Sequence, residues 1–259
     1  MARGLAKAGF FGEGRLLGYD PQAERVEELR REIGLTPVQG NLRGAEEADL
    51  ILVVVKPLQA AAVVGEMARA LSAEKTVVSM AAGVPLAALE AAGGGKAGFL
   101  RVMPNTPALV GAGAFAVCAG GSVKAEKAGF VRTMLGTMGL VVEVVEEQMD
   151  AATGLSGSGP AFVALMIEAM ADGGVCAGLP REVALRLSAQ TVLGTGKMVL
   201  EGQVQPAELK DMVASPGGAT AAGLLVLEQQ GLRAAAMQAV VAAARRSREM
   251  GGRAQDGKK

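Results

Sequence analysis

Short, mainly apolar runs alternate with longer amphipathic segments up to about residue 147, and beyond that point the alternation stops. Residues 15–19, 49–55, 76–80, 98–103, 114–118 and 140–145 read as strands, bounded by proline, glycine and polar residues. Residues 21–33, 57–71 and 124–138 read as helices. The first two open with proline, whose missing N–H costs nothing in the first helical turn. Strands that are apolar at most positions, rather than at every second residue, are covered on both faces. The pattern therefore predicts an α/β half built on a parallel sheet.

After Asp150 the strand pattern is gone. Residues 161–177, 180–200, 206–213, 219–230 and 232–250 all fit helices. The first of these is apolar almost all round, broken only by Glu168 and Asp172. A helical domain this small cannot bury such a helix on every side by itself, so the pattern predicts a subunit interface.

Composition narrows the chemistry. Lysine plus arginine and aspartate plus glutamate both number 26, with no dense basic patch, so nucleic acid is not an expected partner. Histidine is absent, which removes Ser-His-Asp and Cys-His nucleophiles and the commonest zinc sets. Cys118 and Cys176 are too few for a disulfide framework or a metal cluster; they read as small buried hydrophobes, and no metal is expected. Residues 102–123 carry no charge, but Pro104, Asn105 and Pro107 break them into strand, loop and strand rather than a membrane span. No signal-peptide pattern opens the chain, so a cytoplasmic location is expected. Residues 253–259 read as a polar, solvated tail.

Two stretches of the helical half combine hydroxyls with glycine and proline. One is Leu155-Ser156-Gly157-Ser158-Gly159-Pro160 and the other Ser215-Pro216-Gly217-Gly218-Ala219-Thr220. Either fits a plain helix–helix connection. Either also fits an anion pocket, because a helix start offers unpaired N–H groups. In the α/β half, Lys56-Pro57, Ala81-Ala82-Gly83 and Met103-Pro104-Asn105-Thr106-Pro107 follow successive strands, where open parallel sheets bind ligands. Asp20, after Tyr19 at the end of its strand, fits both an acid that meets adenosine ribose hydroxyls and a helix cap.

Taken in order, the motifs resemble those of the pyrroline-5-carboxylate reductases. The resemblance rests on Thr153-Gly154-Leu155-Ser156-Gly157-Ser158-Gly159-Pro160-Ala161-Phe162, Ala171-Asp172-Gly173-Gly174-Val175, Gly178-Leu179-Pro180-Arg181 and the stretch Leu209 to Thr220. It also rests on Val54-Val55-Lys56-Pro57, Ala81-Ala82-Gly83-Val84 and Met103 to Pro107. It implies a Rossmann-like dinucleotide-binding domain over 1–147, followed by an all-helical substrate-binding and dimerisation domain over 148–259. It implies reduction of 1-pyrroline-5-carboxylate to L-proline by NADPH or NADH, in a homodimer or higher homo-oligomer. Catalytic Thr220 would meet the ring nitrogen while Ser215 orients the ligand. Gly217, Gly218, Ala219 and Thr220 would bind the substrate, its carboxylate on the N–H groups of Gly218, Ala219 and Thr220. Tyr19, Asp20, Asn41, Val54, Val55, Lys56, Pro57, Ala81, Ala82, Gly83 and Asn105 would bind the cofactor, with Asn41 at its adenosine end.

Two departures accompany the resemblance. Met212 stands where the family commonly carries asparagine. Residues 1–10 resemble the latter part of a first helix, with no strand or Gly-x-Gly-x-x-Gly turn ahead of it. The expectation is a longer natural chain in which Met1 is internal, with weak cofactor binding by the chain as it stands. Two other readings are a related imine or β-hydroxyacid reductase using Lys197 or Lys210, and a catalytically impaired paralogue that serves only as an oligomerisation partner.

Overall fold

The computed structural model describes residues 1–10, 15–202 and 204–256, the last four of them by backbone alone. Residues 257–259 of the expected polar tail lie outside the described residues. The chain forms two compact units, Met1–Ser158 with Val241–Lys259, and Gly159–Val240.

The first unit runs α1 (Ala2–Lys7), β1 (Leu17–Gly18), α2 (Ala23–Ile33), β2 (Thr36–Pro37), α3 (Asn41–Glu47), β3 (Leu50–Val53) and α4 (Pro57–Met67). It continues with β4 (Thr76–Ser79), α5 (Leu86–Ala92), β5 (Gly98–Met103), a 3-10 turn at Thr106–Val110, β6 (Gly113–Ala119), α6 (Ala125–Gly136) and β7 (Gly139–Glu143). The strands make two separate ladders: β1 pairs with β2 in parallel, and β3-β4-β5-β6-β7 form a five-stranded sheet. No ladder joins β1 to β3 among the described residues. The interruption lies where the resemblance calls for a central strand.

The five-stranded sheet is not wholly parallel, contrary to the strand pattern. β5 and β6 run antiparallel, while the other neighbours are parallel. A parallel crossover needs a dozen or more residues and usually a helix, and the short turn between β5 and β6 can only send the chain back. Both faces are covered, as the apolar strands imply. Val77 and Phe99 pack with Val64, Met67 and Leu89 on one side, and Val78 and Leu100 pack with Leu5, Phe115 and Leu135 on the other. Lys75, just before β4, donates to the carbonyls of Ala45, Glu46 and Ala48 at 2.7, 3.2 and 2.6 Å. A cation thus closes the carbonyl end of α3 and fixes the approach to β3.

Beyond β7 come a 3-10 turn at Glu146–Gln148, α7 (Met149–Ala152) and a π turn at Thr153–Gly157. Met149 is buried in the sheet core, and Ser247 donates to Asp150 at 2.7 Å. Residues up to Ser158 and from Val241 onward thus belong to the first compact unit. The stretch around Ser156 and Ser158 is helical and not a loop. The Ser158 N–H reaches back five residues to the Thr153 carbonyl at 2.9 Å, which absorbs the glycines without ending the helix. The Thr153 and Ser156 hydroxyls donate to the carbonyls of Met149 and Ala152 at 2.8 and 2.9 Å.

The second unit holds α8 (Gly159–Cys176), α9 (Arg181–Glu201), α10 (Pro206–Val213), α11 (Ala219–Gln229) and the first part of α12 (Leu232–Asp256). The short link between α8 and α9 folds them into a hairpin, pinned by an Asp172–Arg181 ion pair. Few side chains are buried here, Ala171, Ala184, Ser188 and Leu209 among them, while Leu165, Leu193, Leu200, Leu225 and Met237 are exposed. The cover expected over α8 is not supplied by its own chain. Cys176 is likewise exposed, not buried as its small apolar character implied; Cys118 is buried.

Candidate active site

The α10–α11 connection is built by local rules. Pro206 at the first turn and a reciprocal Gln205–Glu208 cap start α10, which ends where Ala214 leaves the helical region. The chain turns at Gly217, whose φ of 67° favours glycine, and Gly218 becomes the N-cap of α11 with no side-chain cap. A Cβ at Gly217 would meet nothing within 4 Å, so the turn stands open. The Gly218 N–H donates to the Ser215 carbonyl at 3.0 Å and is therefore spent inside the turn, not free for a carboxylate. The first free donors of α11 are the N–H groups of Ala219, Thr220 and Ala221, one residue later than the motif implies. Ser215, Gly217 and Ala219 are exposed, and Gly218 and Thr220 are half-buried. Among the described residues neither the Ser215 nor the Thr220 hydroxyl has a hydrogen-bond partner, so both are available to a ligand. Lys210 pairs with neighbouring Asp211 at 3.2 Å, and Met212 lies 71 % exposed.

In the first unit the parallel strands β3, β4 and β5 end at one edge, with Val53 opposite Ser79 and Ser79 opposite Arg101. That register brings three of the expected cofactor segments to the same end of the sheet. Val54 is exposed and Val55 packs against the core; Lys56 is the exposed N-cap of α4, and Pro57 opens that helix. Ala81 is buried and Ala82 half-buried after β4, and the Ala81 N–H points to the Ser79 hydroxyl at 3.4 Å. The Asn105 side-chain carbonyl accepts from the Ala114 N–H at 2.8 Å, so this side chain holds the β5–β6 turn in addition to any cofactor role. Tyr19 and Asp20 directly follow β1 of the separate ladder. The Asp20 carboxylate accepts from the Gln22 N–H at 2.8 Å, an Asx turn ahead of α2, whose N-cap is Gln22, and stays partly exposed. Asn41 opens α3 and donates to Glu66 of α4 at 2.6 Å.

Gly83 is packed in a way its sequence setting did not reveal. Its φ is 74°, and a Cβ there would lie 2.6 Å from the Ser247 carbonyl and 3.0 Å from the Gly251 nitrogen. The distal part of α12 thus lies backbone to backbone on the turn that follows β4. Gly251 and Ser247 carried no signal as neighbours of a cofactor segment. Nearby, Arg101 is buried and pairs with Glu146 at 2.8 Å, and the same carboxylate oxygen accepts from the Leu86 N–H at 2.6 Å. Burial, with Glu146 close by, pushes the Cys118 thiol up, so it stays protonated and is a poor nucleophile. Among the described residues no cluster of three metal-ligating side chains occurs.

A largely parallel sheet whose strand ends carry small residues and a helix N-terminus, followed by a helical unit with an uncapped, open helix start, fits the class of NAD(P)H-dependent oxidoreductases. Residues 146–250 match the family of pyrroline-5-carboxylate reductase dimerisation domains, and residues 1–83 match the family described as NADP oxidoreductase, coenzyme F420-dependent. The pyrroline-5-carboxylate reductase of Synechocystis sp. is 43 % identical over 97 % of this chain and 93 % of its own length. That of Arabidopsis thaliana is 42 % identical over 96 % and 90 %. Among solved structures, the Plasmodium falciparum enzyme with NADP bound superposes with a TM-score of 0.84 at 34 % identity, covering 96 % of this chain and 92 % of that one. The Coxiella burnetii enzyme gives 0.87 at 32 %, covering 96 % and 93 %. The chain belongs to the pyrroline-5-carboxylate reductase family. Matches that extend over both halves do not favour the reading as a bare oligomerisation partner.

Proposed function

We propose that this chain reduces 1-pyrroline-5-carboxylate to L-proline, with the substrate carboxylate at the start of α11 and the nicotinamide at the ends of β3, β4 and β5. The observation that carries this is the uncapped start of α11, where three N–H groups and two unpartnered hydroxyls belong to one open turn. The residues at the strand ends fit a dinucleotide in part: Ala81 and Ala82 put only small side chains after β4, and the N-terminus of α4 at Lys56-Pro57 favours negative charge, whereas Gly83 is taken up by the α12 backbone. When bound, the reduced nicotinamide supplies the hydride to the carbon of the C=N bond.

The protein's part is orientation and charge. The N–H groups of Ala219, Thr220 and Ala221 hold the carboxylate, and Ser215 adds a hydroxyl from the other side of the turn. With the imine nitrogen protonated from solvent, its N–H can donate to the Thr220 hydroxyl, and hydride addition to the carbon then completes the amine, so no histidine is needed to supply a proton. Lys56, free of an ion-pair partner among the described residues, is a cation available to phosphate or carboxylate at the nicotinamide end.

The exposed apolar faces of the second unit fit a homodimer formed through its helices, with further assembly possible on the same principle. The helical run Glu146–Cys176 is long and apolar enough to cross a membrane by length and composition, yet it lies inside the match to the dimerisation family. We read its bare face as subunit contact and place the enzyme in the cytoplasm.

The test is oxidation of NADH or NADPH in the presence of 1-pyrroline-5-carboxylate, with L-proline identified as product. Proline formation that falls about 10²–10³-fold in Thr220→Val is the expected result. Absence of proline with either nucleotide contradicts the reading.

A further inference from the structure

We propose that this chain selects the unphosphorylated adenosine ribose, and so favours NADH over NADPH, with Asp20 as the specificity-determining residue. This rests on the reading that Tyr19, Asp20 and Asn41 face the adenosine end of the cofactor.

Three features of the structure point the same way. Asp20 does not swing freely, because one carboxylate oxygen accepts from the Gln22 N–H at 2.8 Å. The group at the end of β1 is therefore a fixed acceptor, suited to the two hydroxyls of a ribose and repelled by a 2′-phosphate carrying a charge of roughly −1.5 to −2. The turn also withholds the donors a phosphate would need. Pro21 has no N–H, and the next one, on Gln22, is already spent on Asp20.

The third feature lies at the other expected adenosine contact. The Asn41 amide donates to Glu66 at 2.6 Å, so one of its two N–H donors is spent and a second carboxylate stands beside it. Asp20 and the Asn41–Glu66 pair each present acceptors, which is discrimination by repulsion as well as by attraction. Arg25 is 3.9 Å from Asp20 and largely solvated, too far for a hydrogen bond and too exposed to neutralise the carboxylate.

Direct binding of NADH and of NADPH to the whole chain, followed by quenching or transfer of nucleotide fluorescence, tests this without turnover. The wild type should bind NADH about tenfold or more tightly than NADPH. Asp20→Asn should weaken NADH and tighten NADPH, narrowing or reversing the ratio by about tenfold to a hundredfold, and Glu66→Gln should move it the same way by less. Equal or tighter binding of NADPH by the wild type overturns the proposal. If Arg25→Gln then abolishes that preference, Arg25 is the residue that reads the ribose. If Asp20→Asn leaves both affinities unchanged, Asp20 does not face the ribose and the placement of the adenosine end fails with it. Binding of neither nucleotide sinks the cofactor reading itself.

Discussion

Two glycines turn the chain with nearly the same left-handed backbone, Gly83 at φ 74° and Gly217 at φ 67°, and their surroundings are opposite. Around Gly217 there is open space, an uncapped helix start and two hydroxyls without partners. Around Gly83 the backbone of α12 closes in, with Ser247 and Gly251 where any side chain would go. Gly217 keeps its turn open to solvent, while Gly83 lets two segments far apart in sequence pack backbone to backbone beside the strand ends. Glycine-rich punctuation in a sequence marks both cases alike; only what lies beyond the missing Cβ separates them.

Four substitutions can break or sharpen that contrast. The largest loss is expected from Glu146→Ala, which strips the partner from buried Arg101, whose Nε already lacks one, and frees the start of α5 after the packed turn. Leaving that charge uncompensated should cost about 3–5 kcal/mol in chemical denaturation. Thr220→Val at the open turn should do the reverse: kcat/KM should fall by about 10²–10³, worth roughly 2.7–4 kcal/mol of barrier. Its melting temperature should hardly move, since the lost hydroxyl has no partner to abandon.

Gly251→Ala comes next. Its Cβ would intrude on the Gly83 carbonyl, a backbone atom that cannot give way, so a stability loss of about 1–3 kcal/mol is expected by thermal unfolding. Gly217→Ala meets no atom and pays only for its backbone angle, about 1–2 kcal/mol at most. If Gly217→Ala proved the more damaging of the two to stability, the contrast between an open and a packed turn would be wrong.

The sequence shows a good deal of this frame, and the gaps have physical causes. β5 spans 98–103 and α10 spans 206–213 as the pattern predicts, because both carry a clear run and firm stops. β2 escaped notice: it is two exposed residues long, and one is a proline that donates nothing to a ladder. α3 and α5 are seven residues each, without side-chain caps, too short to show a period. At Ser156 and Ser158 the glycines and Pro160 read as a break, yet a five-residue hydrogen bond let the helix run through.

At the site, residue types were legible and their commitments were not. Ser215, Gly217 and Thr220 stood out by composition, but only the structure shows that Gly218 has already spent its N–H. Asn41 and Asn105 looked free in the sequence, and each holds another segment through its side chain. Long-range pairings such as Gly83 with Gly251 leave no local trace, because no periodicity links residues so far apart.

The central claim is that an anion cradle at the start of α11 selects the substrate by its carboxylate. Steady-state reduction of 1-pyrroline-5-carboxylate, set beside reduction of the same ring without its carboxylate, tests it most directly. The account predicts a fall in kcat/KM of about a hundredfold or more for the bare ring, as expected when charge-assisted hydrogen bonds of roughly 1.5–3 kcal/mol each are lost. Turnover of the two rings at equal kcat/KM would contradict it.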